Sequence, residues 1–214
     1  ALNTSSDVYK VGDTKEIDMG TYGTHTLRIA NTSTPSECST TGFSQTACGF
    51  VVEFVDIITT HKMNDTVTNK GGWPGSQMKT FIDKYIYNSL PDDFKKVIID
   101  TKTVSGHGPE DTNNFTSPDK LYLLAPKEIY SDWSNQYDSA ADLTRQLDYY
   151  KIKGVTTNSY AAAIKENRTG ADGWWWLRSA SDNYQFFYFV YDFGAWGSKD
   201  ANNTCGVSPA FRIG

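Results

Sequence analysis

Residues 174–214 read WWWLRSASDNYQFFYFVYDFGAWGSKDANNTCGVSPAFRIG, and this segment decides both the fold and the function of the chain. Its glycines separate short runs rich in aromatic and β-branched residues, which predicts strands over 174–178, 185–193 and 207–213. Much of the aromatic content of the 214-residue chain falls in this segment. So dense a group of rings either fills a core or forms a binding surface.

The run over 185–193 would carry aromatic side chains on both faces of a strand. Alternation places Phe187, Phe189, Tyr191 and Phe193 on one face, and Phe186, Tyr188, Val190 and Asp192 on the other. Both faces are buried only where a strand lies in the middle of a packed sheet. Since glycines follow at short intervals, we interpret the run as a region bounded by loops, with several exposed rings that form a binding site.

Strands at both ends of the chain enclose a helical middle. The predicted elements are, in chain order, a hairpin over 16–31, a long strand with a bulge over 49–63, a helix capped by Ser76, a short helix opened by Pro91, a loop over 101–119, a buried strand over 121–124 and a helix within 138–153. This order favours an α+β fold in which the N- and C-terminal strands are adjacent.

Composition and charge exclude several classes of partner. The chain carries 25 acidic and 20 basic residues, a net charge of −5, which argues against binding to nucleic acid. No stretch approaches the ~20 apolar residues of a membrane span, so we expect no membrane insertion. The length fits one domain over 1–214, and residues 1–6 show no signal peptide.

Sequence motifs for catalysis or metal binding are absent. His25, His61 and His107 are scattered without the spacing of metal ligands, and we expect a surface or loop position for each. Residues 111–114 resemble the start of a calcium loop but lack its later glycine and glutamate. We therefore predict no catalytic residues, no metal and no cofactor. Cys38 and Cys48 either form a disulfide or remain as two free thiols.

Two motifs near the C-terminus resemble a large bacterial and phage family. They are Trp175-Trp176-Leu177-Arg178-Ser179 and Gly206-Val207-Ser208-Pro209-Ala210-Phe211-Arg212-Ile213. In that family this segment closes a C-type-lectin fold, and its best-understood members are the variable proteins of diversity-generating retroelements. The resemblance implies a C-type-lectin-like fold: a mixed antiparallel sheet with two or three helices and adjacent terminal strands. It also implies a scaffold over 1–179, in which at least two of Trp175, Trp176 and Leu177 are buried, and a variable ligand-binding region over 180–214.

In such proteins, adenines of a template copy are mutated, so that asparagine codons become codons for many other residues. The ligand-binding residues that the resemblance implies are Asp182, Tyr184, Phe186, Phe189, Tyr191, Phe193, Ala195, Trp196, Ser198 and Asp200. All of them except Trp196 are reachable from an asparagine codon by changes in its first two bases.

The implied function is display of a variable surface that binds a macromolecular ligand, expected to be a protein on another cell or virion. The implied location is the bacterial cell surface, the extracellular space or a phage particle. Two alternatives remain: an enzyme of the formylglycine-generating type, which has the same fold, and a bacterial surface module without diversification. The first needs two cysteines in the C-terminal part, where only Cys205 lies. The tripeptides with which C-type lectins bind sugar through calcium are missing, so the fold does not imply lectin activity.

Overall fold

The computed structural model describes residues 8–134, 142–168 and 173–214. Fourteen strands occur there: β1 Thr14–Asp18, β2 Thr24–Asn31, β3 Val51–Phe54, β4 Asp56–Ile57, β5 Thr59–Lys62, β6 Ile98–Ile99, β7 Thr101–Ser105, β8 Phe115–Asp119, β9 Glu166–Asn167, β10 Trp175–Ala180, β11 Phe186–Val190, β12 Trp196–Asp200, β13 Thr204–Val207 and β14 Ala210–Ile213. They form two five-stranded sheets, in the orders β1-β2-β3-β14-β6 and β12-β11-β10-β13-β5, and the two pairs β4-β9 and β7-β8.

Five short helices pack around these sheets in the described residues. They are α1 Gly72–Gly75, α2 with its segments Gln77–Phe81, Ile82–Ile86 (a π-helical turn) and Tyr87–Ser89, α3 Asp92–Val97, α4 Pro126–Ile129 and α5 Asp148–Ile152. The predicted α+β class is confirmed, whereas the prediction of two or three helices is too low. None of the helices in the described part of the chain has the length and apolarity needed to cross a membrane.

The two predicted helices after residue 75 are confirmed. The Ser76 hydroxyl accepts a hydrogen bond from the backbone N–H of Lys79 at 3.1 Å, as an N-cap residue should. Met78, Ile82 and Ile86 are fully buried, so the apolar face of α2 packs against the core. Helix α3 follows Pro91 as predicted.

The predicted hairpin over 16–31 is confirmed as β1 and β2, which pair antiparallel around a turn at Gly20–Tyr22. It lies in the same sheet as the C-terminal strand β14. Strand β3 separates the two, so the terminal strands share a sheet but are not adjacent.

The chain crosses between the two large sheets at two neighbouring points. The predicted single strand over 49–63 is wrong, because it breaks at Val55 into β3 in the first sheet and β5 in the second. The predicted strand over 207–213 breaks likewise at Ser208, between β13 and β14. A hydrogen bond joins the two crossings: the Ser208 hydroxyl donates to the Phe54 carbonyl at 3.1 Å. The change of alternation at Val55 therefore marks a change of sheet.

Two further sequence predictions need correction, for residues 101–119 and 121–124. Residues 101–119 form the hairpin β7-β8 and not a loop. Its buried side chains are polar except for Val104, so the sequence shows no alternation of apolar residues there. Residues 121–124 are buried but make only one bridge, between Tyr122 and Ala210. The helix predicted within 138–153 is confirmed as α5, while residues 135–141 lie outside the described residues.

The tryptophan run forms the centre of the second sheet. Trp175, Trp176 and Leu177 are each 0 % exposed, which confirms the prediction that they are buried. Arg178 follows them and is equally buried, because its guanidinium pairs with the Glu128 carboxylate at 2.7 Å. The run therefore belongs to the rigid part of the molecule.

A second buried ionic cluster surrounds Glu53 on β3. Its carboxylate lies 2.7 Å from the Arg28 guanidinium and 3.0 Å from the Lys165 ammonium, and it accepts a hydrogen bond from the Tyr150 hydroxyl at 2.8 Å. Burial raises the pKa of Glu53, but the two cations outweigh that effect and lower the pKa to about 2. Glu53 is therefore ionised in the folded protein at neutral pH.

Cys38 and Cys48 form a disulfide, with 2.07 Å between the sulfurs. The bond closes a short loop that begins with a 3₁₀ turn at Ser36–Ser39. Of the two alternatives that the sequence left open, the structure therefore shows the disulfide.

Candidate ligand-binding surface

The hairpin of β11 and β12 carries most of the predicted ligand-binding residues. Its turn is closed by a hydrogen bond of 2.8 Å from the Tyr191 N–H to the Ala195 carbonyl. Gly194 in this turn has a φ of +92°, and a Cβ there would lie 2.3 Å from the Tyr160 carbonyl oxygen. Only glycine fits this backbone position.

Hydrogen bonds from Asn69 fix the backbone of the loop before β11. Its side-chain amide donates to the carbonyls of Asn183 at 2.7 Å and Phe186 at 2.9 Å, and its backbone N–H donates to the Tyr184 carbonyl at 3.0 Å. Asn69 is fully buried, whereas the Tyr184 side chain is 52 % exposed. The backbone of the loop is therefore fixed while the side chains of Asp182 and Tyr184 are exposed to solvent.

The register of the hairpin sorts its side chains onto two faces of the sheet. Tyr188 pairs with Ser198 and Phe189 with Gly197, without any shift along β11. We call one side the Trp174 face, with Trp174, Phe187, Phe189, Tyr191, Gly197 and Lys199. The other is the Trp196 face, with Phe186, Tyr188, Val190, Trp196, Ser198 and Asp200. A surface that joined Phe186 to Tyr191 would need a bulge within β11. The pairing of β11 with β12 has no shift, and the shift in its pairing with β10 lies in β10.

A ladder of aromatic rings runs along the Trp174 face to the turn. The Tyr191 ring is stacked on Phe193 at 5.1 Å between centroids and meets the Trp174 ring edge-on, also at 5.1 Å. The Lys199 ammonium lies 4.2 Å from the centre of the Trp174 ring, within cation–π distance. The Phe189 ring contacts Trp174 and Tyr191 from the core side and is only 1 % exposed.

The Trp196 face presents a second aromatic group. Trp196 is 41 % exposed, and its ring stands edge-on against the buried Trp133 ring at 4.7 Å. Tyr188, also buried, contacts Trp133 at 4.9 Å. The Trp196 ring is therefore fixed by its contact with Trp133, while its other side is exposed to solvent.

The ten predicted residues thus differ in exposure. Four are exposed, namely Asp182, Tyr184, Phe193 and Trp196; five are half-buried, namely Phe186, Tyr191, Ala195, Ser198 and Asp200; and Phe189 is buried. The structure excludes Phe189 from any exposed surface. The interpretation of 185–193 as a region bounded by loops, and not as a core strand, is wrong for residues 187–190, because both faces of the sheet are covered there although β11 is next to the edge.

Three residues of the ring ladder were not predicted. Trp174 was assigned to the scaffold, Lys199 is not among the predicted residues, and Tyr160, 6.2 Å from the Phe193 ring, is distant in sequence. Trp174 and Trp176 lie on the same face of the sheet, because side chains alternate along a strand. Trp176 pairs with Phe189, and Tyr191 is the next residue after Phe189 on that face. Pairing β10 with β11 in the sequence would therefore have placed Trp174 beside Tyr191.

Residues with catalytic or metal-binding chemistry lie elsewhere and have structural contacts. His25 is buried, and its Nδ1 lies 3.1 Å from the Asp56 carboxylate, so the expected surface or loop position is wrong for it. Asp111, in the segment that resembles a calcium loop, accepts a hydrogen bond from the Gly71 N–H at 2.8 Å. Cys205 is buried on β13. Over the described ranges, no three His, Cys, Asp or Glu side chains are grouped as metal ligands.

The comparison with protein families gave one match. Residues 51–214 match a family described as a domain of unknown function, DUF6273. The comparisons with curated proteins and with solved structures gave no match. The matched region contains every strand from β3 to β14, and therefore the hairpin of β11 and β12. Since it covers more than half of the chain, the protein belongs to the DUF6273 family.

Proposed function

We propose that this protein is a ligand-binding display protein, in which side chains at the ends of the β11–β12 hairpin are diversified to bind varied protein ligands. One observation carries the proposal. The rings in the middle of the hairpin are buried, whereas Tyr184, Phe193 and Trp196 at its ends are exposed on a fixed backbone. A scaffold tolerates variation only at side chains that leave the core unchanged, because a core responds to the loss of a single methylene group.

Aromatic side chains suit this role for a physical reason. They offer a large contact area while only two torsion angles must be fixed on binding. In the Trp174 face the rings are also pre-organised, since Tyr191 is held between Phe193 and Trp174 at 5.1 Å from each. Less conformational entropy is then lost when a ligand binds.

We propose further that the scaffold around the hairpin has a C-type-lectin-like fold. The placement of the N-terminal hairpin and the C-terminal strand in one sheet supports that assignment. The protein binds its ligand without transforming it, and it acts at a bacterial cell surface, outside the cell or on a phage particle. The Cys38–Cys48 disulfide supports this location, because disulfides persist in oxidising compartments.

Two matched libraries of the full chain test the proposal. In the first, the codons of the exposed and half-buried predicted residues other than Trp196 are randomised: Asp182, Tyr184, Phe186, Tyr191, Phe193, Ala195, Ser198 and Asp200. In the second, those of the buried Phe187, Tyr188 and Phe189 are randomised. We expect most members of the first library to resist protease as wild type does, and to yield binders when selected on a purified protein such as lysozyme. Most members of the second should be degraded, because buried rings are lost. Equal degradation of the two libraries, or a stable first library without binders, would overturn the proposal.

A further inference from the structure

Among the described residues, strand β12 is an edge strand of the second sheet. It lies at the end of the order β12-β11-β10-β13-β5 and pairs only with β11 among the strands of the described residues. An edge strand presents unpaired backbone N–H and C=O groups that can hydrogen-bond to a further strand.

The hydrogen-bond pattern shows which residues present these groups. The bonds from Tyr191 N–H to Ala195 and from Ala201 N–H to Gln185 define the bonded pairs of the hairpin. Bonded and non-bonded pairs alternate along an antiparallel ladder, so Gly197 and Lys199 bond to β11. The backbone groups of Trp196, Ser198 and Asp200 therefore point away from the sheet. Within the described part of the chain, only the Asp200 carbonyl among them has a partner, the Asn203 N–H at 2.9 Å.

We propose that the ligand binds as an extended segment that adds a strand to β12. This inference rests on the proposed function and names the form of the ligand. The predicted residues lie on two faces of the sheet, and a ligand on either face alone would contact only some of them. A strand added at the edge contacts both, because its side chains alternate between the faces.

Side chains on the two faces specify the composition of the added strand. On the Trp174 face, the Lys199 ammonium makes no ion pair with a carboxylate within the described residues, so an acidic side chain of the ligand fits beside it. Gly197 has no side chain, and a Cβ there would lie 2.7 Å from the Tyr191 ring, so that ring reaches across to the edge. On the Trp196 face the exposed indole fits an apolar side chain. The ligand segment therefore alternates, with an apolar residue beside Trp196 and an acidic residue beside Lys199.

Substitution of Ser198 by proline tests the pairing with little effect on the hairpin. Its N–H points outward, so Ser198→Pro removes a donor at the edge but no bond to β11, and proline is tolerated at such positions. The preceding residue is Gly197, which lacks the Cβ that clashes with a following proline. Ser198→Ala is the matched control, because it removes the side chain and keeps the N–H. Both variants are compared with wild type by thermal melting before binding is measured.

The probe is a library of random peptides displayed on phage and selected on the full wild-type chain. Dissociation constants of the selected peptides are then measured by calorimetry for each variant. We expect Ser198→Pro to weaken binding by about tenfold or more relative to Ser198→Ala, which measures the contribution of the side chain alone. N-methylation of the peptide backbone should abolish binding only at alternate positions, a result that does not depend on the stability of the proline variant.

The other outcomes separate this inference from the proposed function. If Ser198→Pro binds as wild type while Phe193→Ala does not, the ligand uses side chains alone, and only strand addition is refuted. If neither variant affects binding, the surface itself is wrong and both proposals fail. A wild-type dimer that Ser198→Pro converts to a monomer would assign the edge to a second copy of the chain. Failure to select any peptide would also refute strand addition, whatever the protein libraries show.

Discussion

Phe189 and Phe193 offer a direct test of how the hairpin divides into core and surface. They are the same residue type, four positions apart, yet 1 % and 52 % exposed. Phe189 packs against the rings of Tyr191 at 4.5 Å and Trp174 at 5.3 Å. We expect Phe189→Ala to lower the free energy of unfolding by about 3–5 kcal/mol, the range for a buried ring.

The expected loss for Phe193→Ala is smaller because half of its surface already contacts water. Roughly 100 Å² of buried area at ~25 cal/mol per Å² gives at most about 2.5 kcal/mol. Real unfolded chains are more compact than an extended one, so we expect about 1–2 kcal/mol.

Urea unfolding of wild type and both variants, followed by tryptophan fluorescence, measures these losses. A shift of the midpoint at constant slope reports stability alone. Equal losses for the two variants, or a larger loss for Phe193→Ala, would refute the division of the hairpin into core and surface.

Two further predictions concern the scaffold. The pKa of Glu53 is lowered from 4.5 to about 2 on folding, so the unfolded chain binds the proton more readily and the contribution of the carboxylate is complete above pH 4.5. We expect about 3 kcal/mol of stability to be lost as the pH falls from 4.5 to about 2. Glu53→Gln should flatten this part of the plot of unfolding free energy against pH. An unchanged plot would contradict the role of the cluster. Reduction of the Cys38–Cys48 disulfide, which joins residues 10 apart, should lower the free energy of unfolding by about 2–3 kcal/mol through the entropy of loop closure. Urea unfolding with and without reductant measures this loss, with Cys205→Ser as the background that excludes thiol exchange with the third cysteine. Equal midpoints would contradict the prediction.

Local patterns in the sequence predicted the local elements well. The N-cap at Ser76 and the apolar spacing after it were sufficient for α2, because both features act within one or two helical turns. The buried tryptophans Trp175 and Trp176 were also predicted. In contrast, the hairpin β7-β8 was missed because Thr101 and Thr103 are polar and buried, which binary patterning reads as loop.

The site was predicted in part, and the failures have a common cause. Whether Phe189 is core or surface depends on what covers each face of the sheet, and alternation along one strand does not contain that information. The contact of Lys199 with Trp174 joins residues 25 positions apart through the pairing of β10, β11 and β12. Strand order is a property of the whole chain, so these residues could be grouped only with the structure.

The proposed diversification is tested most directly by sequencing the gene together with its neighbourhood. The account predicts a reverse transcriptase gene and a near-copy of codons 174–214. In that copy, asparagine codons should stand opposite exposed positions such as Tyr184 and Phe193, and the codons of the buried Phe187, Tyr188 and Phe189 should be unchanged. A neighbourhood without such a copy, or a copy whose differences fall as often on buried as on exposed residues, would contradict the account.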